Sequence, residues 1–218
     1  MLTTSFFVAG AVREPRHEEA DEMQALLKDI SEIRAGYSFR GGIKPKSGGR
    51  YSVVQIKDLD VGGVFEPGEL LRTDLSDVNS NHFLLRRDVL FVARGERKRA
   101  VVIDEITPNT VFGSQFFGCR PKSGVDPTYL AWFINQKPAQ RYFEEHSRGS
   151  NVQIITKEAL GQLVVTVPPL AIQQRIAQVY RLSQQEMKLF AEIQAKRNQM
   201  VETALLKSLH QYETDGKQ

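Results

Sequence analysis

The chain has 218 residues, 41% of them hydrophobic, and a formal net charge of +3 at pH 7. That length suits one globular domain with an appendage, or two small domains. No run of about 18 apolar residues occurs, so no transmembrane helix is expected. The opening "MLTTSFFVAGAVREPRH" lacks a basic leader and makes a poor signal peptide. The single cysteine, Cys119, leaves no internal disulfide framework and fits a reducing cytosol, hence a cytoplasmic protein. His17, His82, His146 and His210 are isolated from one another, and no spacing fits a zinc site.

In chain order, residues 1–21 are expected to be a flexible extension. Acid is concentrated in Glu14, Glu18, Glu19, Asp21, Glu22, Asp29 and Glu32. Met23, Leu26, Leu27 and Ile30 stand at helical spacing and predict a helix there. From Arg34 to Lys57 there is no acid, and Arg40, Lys44, Lys46 and Arg50 alternate with glycine pairs and with Tyr37, Phe39 and Tyr51. The Gly-Gly and Lys-Pro punctuation implies loops between short strands. "YSVVQI", "RDVLFVAR" and "RAVVIDEI" are expected strands, the last two joined by the basic loop "RGERK"; "TVFGSQFFGCRP" continues the β pattern. "DPTYLAWFINQKPAQRYFEEHS" is expected to be helical, with Asp126 as N-cap, Pro127 in the first turn, and a break or kink at Pro138. "RGSNVQIITKEALGQLVVTVP" is a Gly-Ser loop, a short strand or turn, and a final strand. Residues 22–167 thus form an expected α+β body of short strands and helices.

After Pro168 and Pro169 the pattern changes. Ile172, Ile176, Val179, Leu182, Leu189, Phe190, Ile193 and Met200 recur at intervals of three, four and seven, which suits a packed helix or coiled coil over residues 168–210. Ser183, Glu186 and Arg197 interrupt the seam, so it is no strict leucine zipper. About 40 residues at 1.5 Å each span roughly 60 Å. The body cannot cover a stripe of that length, so a second helix from another chain is expected to do so. Residues 211–218 are expected to be a disordered tail.

Two stretches approach catalytic patterns. "DPTY" at 126–129 approaches the Asp/Asn-Pro-Pro-Tyr loop of adenine N6-methyltransferases, but Thr128 replaces the second proline and no glycine-rich cofactor turn precedes it. Asp88 with Glu96-Arg97-Lys98 approaches a magnesium nuclease core, but the Glu-x-Lys lies in the turn directly after the Asp88 strand instead of on a facing strand. Neither a Walker A loop, nor a Ser/His/Asp pattern, nor HExxH is present. No cofactor, metal or catalytic residue is expected.

The chain resembles one half of a type I restriction–modification specificity subunit. The resemblance rests on "YSVVQIKDL" at 51–59 and "LLRRDVLFVARGERKRAVVI" at 84–103. It also rests on the stretch from "DPTYLAWFINQ" to "VTVPPL", which ends on "PPLAIQQRI". Arg87 stands where that family usually has glycine, and Ile172 where it usually has glutamate. The resemblance implies a non-catalytic DNA-recognition subunit with one target-recognition domain. It implies methyltransferase (adenine N6) partners and nuclease/translocase partners, and a bipartite site on double-stranded DNA. A full subunit has two such domains joined by two long antiparallel helices; a half-length chain would homodimerise through residues 170–210 and read a palindromic site. The candidate DNA contacts are Arg40, Lys44, Lys46 and Arg50 in the first loop, Arg94, Arg97, Lys98 and Arg99 in the second, and Arg148, Ser150, Asn151 and Gln153 in the third. Cations would hold phosphates, and Asn151 and Gln153 would read adenine edges. The rival readings are a coiled-coil protein-interaction scaffold, with the basic loops incidental, and a stand-alone nuclease or methyltransferase.

Overall fold

The computed structural model describes residues 23–59, 65, 68, 70–95, 98–149 and 152–215. Its centre is a four-stranded antiparallel sheet in the order β2-β8-β5-β6, comprising β2 (Ser31–Ala35), β5 (Val89–Val92), β6 (Ala100–Val102) and β8 (Phe116–Pro121). Side chains alternate across a strand, and here both faces are covered. Val89, Phe91 and Cys119 point to one core with Leu130, Ile134, Phe143 and Leu160. Leu90, Val92 and Val101 point to the other with Val54, Ile103, Phe112 and Phe116. This explains why "VLFV" is apolar throughout: all four residues of β5 are buried.

Helices α2 (Pro127–Ile134), α3 (Lys137–His146) and α4 (Lys157–Gly161) supply the first core. Asp126 caps α2 as its position predicts: Oδ1 accepts from the Thr128 and Tyr129 amides at 2.8 and 3.0 Å. Pro138 falls in the first turn of α3, where its missing N–H costs nothing. The expected break therefore falls just before it, and it begins a second helix. The opposite face is covered by a three-stranded sheet, β4-β3-β7, in which β3 (Tyr51–Val54) pairs antiparallel with β4 (Leu71–Thr73) and parallel with β7 (Thr110–Phe112).

The expected helix around Met23–Ile30 is instead a strand, β1 (Met23–Leu26), followed by a single turn, α1 (Leu27–Ile30). β1 pairs antiparallel with β9 (Val164–Val167), Met23 opposite Val167 and Leu26 opposite Val164. One helical turn suffices to bury Leu27 and Ile30, and the partner strand that fixes Met23–Leu26 as extended comes from the far end of the body. The expected extension at residues 1–21 lies outside the described residues.

After Pro168 and Pro169 a single helix, α5, runs from Leu170 to Asp215. It has 46 residues and, at 1.5 Å each, is about 69 Å long. It carries five residues of the expected tail as helix. Among the described residues no helix is long and apolar enough to cross a membrane.

Candidate nucleic-acid interface

Two of the three basic loops form one unit. The loop between β5 and β6 bridges to the loop after α3: Arg94 pairs antiparallel with Ile154, and so does Arg148. The Gly95 amide donates to the Gln153 carbonyl at 3.1 Å, and Ile155 donates to Ala93 at 2.9 Å. Gly149 makes the turn with φ of +106°; a Cβ there would lie 2.4 Å from the Val152 carbonyl oxygen, so no other residue fits. Arg94, Arg148 and Gln153 project from this joined tip and are exposed, while Arg99 is half-buried. Arg97, Ser150 and Asn151 lie outside the described residues.

Lys98 does not share that exposure. It is 5% exposed, and its ammonium donates to the carbonyls of Gly95 at 2.6 Å, Gln153 at 2.6 Å and Ala93 at 3.3 Å. Burial pushes its pKa below the ordinary lysine value. In place of an expected DNA contact, the structure has a buried cation that ties the second loop to the third. Sequence reasoning missed this because a lysine in "RGERK" looks like its solvated neighbours; only the approach of Gln153 reveals the difference.

The first loop stands apart on the three-stranded sheet. Arg40, Lys44, Lys46 and Arg50 are all exposed. The Lys46 ammonium pairs with Asp74, whose carboxyl also accepts the Arg50 amide at 2.9 Å. Together these hold the Asp74 pKa below its usual value, the Lys46 hydrogen bond contributing most. The Lys44 carbonyl accepts from Thr73 Oγ1 at 2.7 Å, and Arg72 Nε donates to the Gly49 carbonyl at 2.9 Å. The loop's backbone is thereby fixed to β4, with its cations facing water.

Of the residues in the two catalytic patterns, Asp88, Lys98, Asp126 and Tyr129 are committed to the fold, while Glu96 and Arg97 lie outside the described residues. Asp88 is 1% exposed. It accepts from Arg34 Nη2 at 2.6 Å, Arg120 Nε at 2.9 Å and the Leu85 amide at 2.8 Å. Both of its carboxylate oxygens thus accept hydrogen bonds from the fold. Tyr129 is buried and donates to the Thr166 carbonyl at 2.6 Å, so it cannot stack on a base. Among the described residues no group of His, Cys, Asp or Glu could hold a metal ion.

α5 has two dissimilar faces. Gln173 and Ala177 are buried against the body, and Tyr180 and Arg181 bond to α2: Asn135 Nδ2 donates to Tyr180 Oη at 3.2 Å, and Arg181 Nη2 donates to Thr128 Oγ1 at 2.7 Å. On the other face Val179 is 68% exposed and Phe190 is 64% exposed, with Leu182, Leu189, Ile193 and Met200 also exposed. Val179, Leu182, Leu189, Phe190 and Ile193 line one shallow trough. Of the eight residues expected at the helix interface, Ile172 is also exposed and Ile176 is half-buried.

A family model described as the type I restriction modification DNA specificity domain matches residues 22–202. This chain belongs to that family. The specificity-domain chain is also similar in fold to the HsdS subunit from Thermoanaerobacter tengcongensis, with a TM-score of 0.56 at 16% identity, over 81% of this chain and 41% of that one. It is similar to the type I restriction-modification S subunit from M. genitalium, with a TM-score of 0.54 at 13% identity, over 81% of this chain and 42% of that one. A third match is to a structure described as the basis of complex assembly and conformational transition of the type I R-M system. There the TM-score is 0.54 at 19% identity, over 83% of this chain and 43% of that one. The specificity domain thus spans less than half the length of each of these structures. No curated protein matches it in sequence.

Proposed function

We propose that the chain supplies one target-recognition domain and one spacer helix of a specificity subunit. Residues 22–167 act as the target-recognition domain, and residues 168–210 as the spacer and dimerisation helix. It binds double-stranded DNA and does no chemistry itself. Two copies, joined through the outward stripe of α5, read a bipartite palindromic site. They direct adenine N6-methyltransferase subunits there, and nuclease/translocase subunits with them. The cytoplasm is where such a complex works.

The observation that carries this reading is the division of α5 into a face bonded to the body and an apolar face left uncovered. Burying one large apolar side chain contributes about 1.5–3 kcal/mol. A stripe of Ile172, Val179, Leu182, Leu189, Phe190, Ile193 and Met200 on each of two helices therefore exceeds an association cost of about 4–15 kcal/mol. An antiparallel twofold pair is the symmetric way to cover it. The exposed cations of the loop tips supply phosphate contacts, and Gln153, with Asn151 two positions before it in sequence, offers amides suited to adenine.

Methylome sequencing of cells expressing the chain with a methyltransferase subunit tests all of this at once. The expected outcome is a single bipartite motif whose halves are inverted repeats, modified at adenine. Absence of any new methylation, together with absence of duplex binding by the assembled complex, would refute the reading. The scaffold alternative is separated by reversing charge at Arg94 and Arg148: a scaffold keeps its partner and its function, whereas a DNA reader loses DNA.

A further inference from the structure

We infer that Gln173 locks the elbow between the recognition body and α5, and so acts as the positioning residue that sets the fidelity of half-site spacing. This rests on the DNA-reading function proposed above.

Gln173 is 0% exposed. Its Oε1 accepts from the Asp126 amide at 2.9 Å, and its Nε2 donates to the carbonyls of Gly124 at 2.9 Å and Pro168 at 2.8 Å. Both ends of the amide are therefore engaged, and it joins three pieces of chain. Gly124 and Asp126 belong to the turn entering α2, Pro168 to the end of β9, and Gln173 itself to α5. Pro169 adds its carbonyl, which accepts from the amides of Ile172 and Gln173 at 2.8 and 3.2 Å. Asp126 is also tied on its other side. Its Oδ1 caps α2 and its Oδ2 pairs with Arg87 at 3.1 Å.

Apolar contacts slide at little cost, but hydrogen bonds to a planar amide are directional. Any swing of α5 about the proline pair breaks three of them together and strands buried backbone groups. Two prolines would otherwise be a place to bend. Here they form a fixed elbow.

The geometry makes that fixity matter for DNA. A body of this size places its loops about 20 Å from the elbow. Slack of about 10° then moves a loop by about 3.5 Å, one base-pair step. A recognition domain on a loose elbow would accept spacers one pair too long or too short. A domain on a locked elbow would reject them.

The test uses the full chain with nitroxide labels on cysteines introduced at Glu144 and Gln199, both exposed. Labelled chains are diluted into unlabelled ones, so that only distances within one protomer are read. Cys119 is buried, with its pKa pushed up to about 12 by desolvation, and does not compete for label. Gln173→Met keeps the side-chain volume and removes the hydrogen bonds; Gln173→Asn keeps the amide and shortens its reach. Both are expected to broaden the distance distribution about twofold. An unchanged width in either folded variant overturns the lock. The same variants, expressed with a methyltransferase subunit, should raise methylation severalfold at sites whose spacer is one pair longer or shorter, with the half-site bases unchanged. Broader distances with no gain in off-spacing methylation overturn the role in spacing and leave DNA reading standing. If the parent chain directs no methylation, the proposed function fails, while the distances still decide whether Gln173 holds the elbow.

Discussion

Lys98 and Asp88 are both charged and both buried, and neither does what its neighbourhood in the sequence implies. The Lys98 ammonium is surrounded by carbonyls of its own loop and of the third loop, so it cannot neutralise a phosphate while that arrangement persists. Counterion release makes this measurable, because log affinity falls with log salt by about 0.9 for each phosphate neutralised. Lys98→Met is expected to weaken duplex binding severalfold by loosening the loop tip, with no change in salt slope. Arg94→Ala is expected to lower the slope by about 1. A titration across salt concentrations separates the two, and an equal loss of slope in Lys98→Met would return that residue to the phosphate contacts. Asp88 offsets two guanidinium groups, one of them on Arg34, which is 4% exposed. Removing the anion strands a buried cation, so Asp88→Asn is expected to cost about 3 kcal/mol in urea denaturation. Charge alone could not distinguish Lys98 from Arg94 or Arg148. Burial did, and burial depends on which loop comes to lie against which.

At the scale of elements, legibility in the sequence followed contact range. β5 and β9 were legible from their apolar runs, α2 from Asp126 and Pro127, and α5 from its periodicity and the prolines before it. β1 was not, because its extended form is imposed by β9 across the whole body, while Met23, Leu26, Leu27 and Ile30 satisfy a helical pattern by coincidence. α5 poses the sharpest test. The body supports its root through Gln173, Ala177, Tyr180 and Arg181, but the outer turns have only the stripe to hold them, and a lone helix is marginal in water. Phe190→Glu combined with Ile193→Glu is expected to convert the proposed dimer to a monomer by light scattering at micromolar concentration. Far-UV circular dichroism should fall at the same time as the outer turns fray. A double variant that retains both mass and helicity would mean that something other than this face covers α5.

Taken whole, the molecule is two cores back to back on one sheet, and β5 feeds both through alternate residues. Neither core can open without disturbing the shared strands, so the body should unfold as one cooperative unit. The sequence made the α+β body and the helical appendage legible, but not this division, because the parity of each strand says which residues share a face and not what lies opposite. Cys119 offers a direct reading. It sits on β8 between β2 and β5, fully buried on the helical side, with its thiol pKa pushed up to about 12 by burial. Thiolate is what reacts, so modification requires that β8 be uncovered, which the swing of α5 alone does not achieve. In native buffer the rate of Cys119 modification by a disulfide reagent is expected to equal the global unfolding rate followed by circular dichroism, and to stay equal in Gln173→Met once that variant's own unfolding rate is used. Modification that outpaces unfolding would instead mean that the helical side lifts from the sheet by itself, and that the elbow and the helical core are one movable unit.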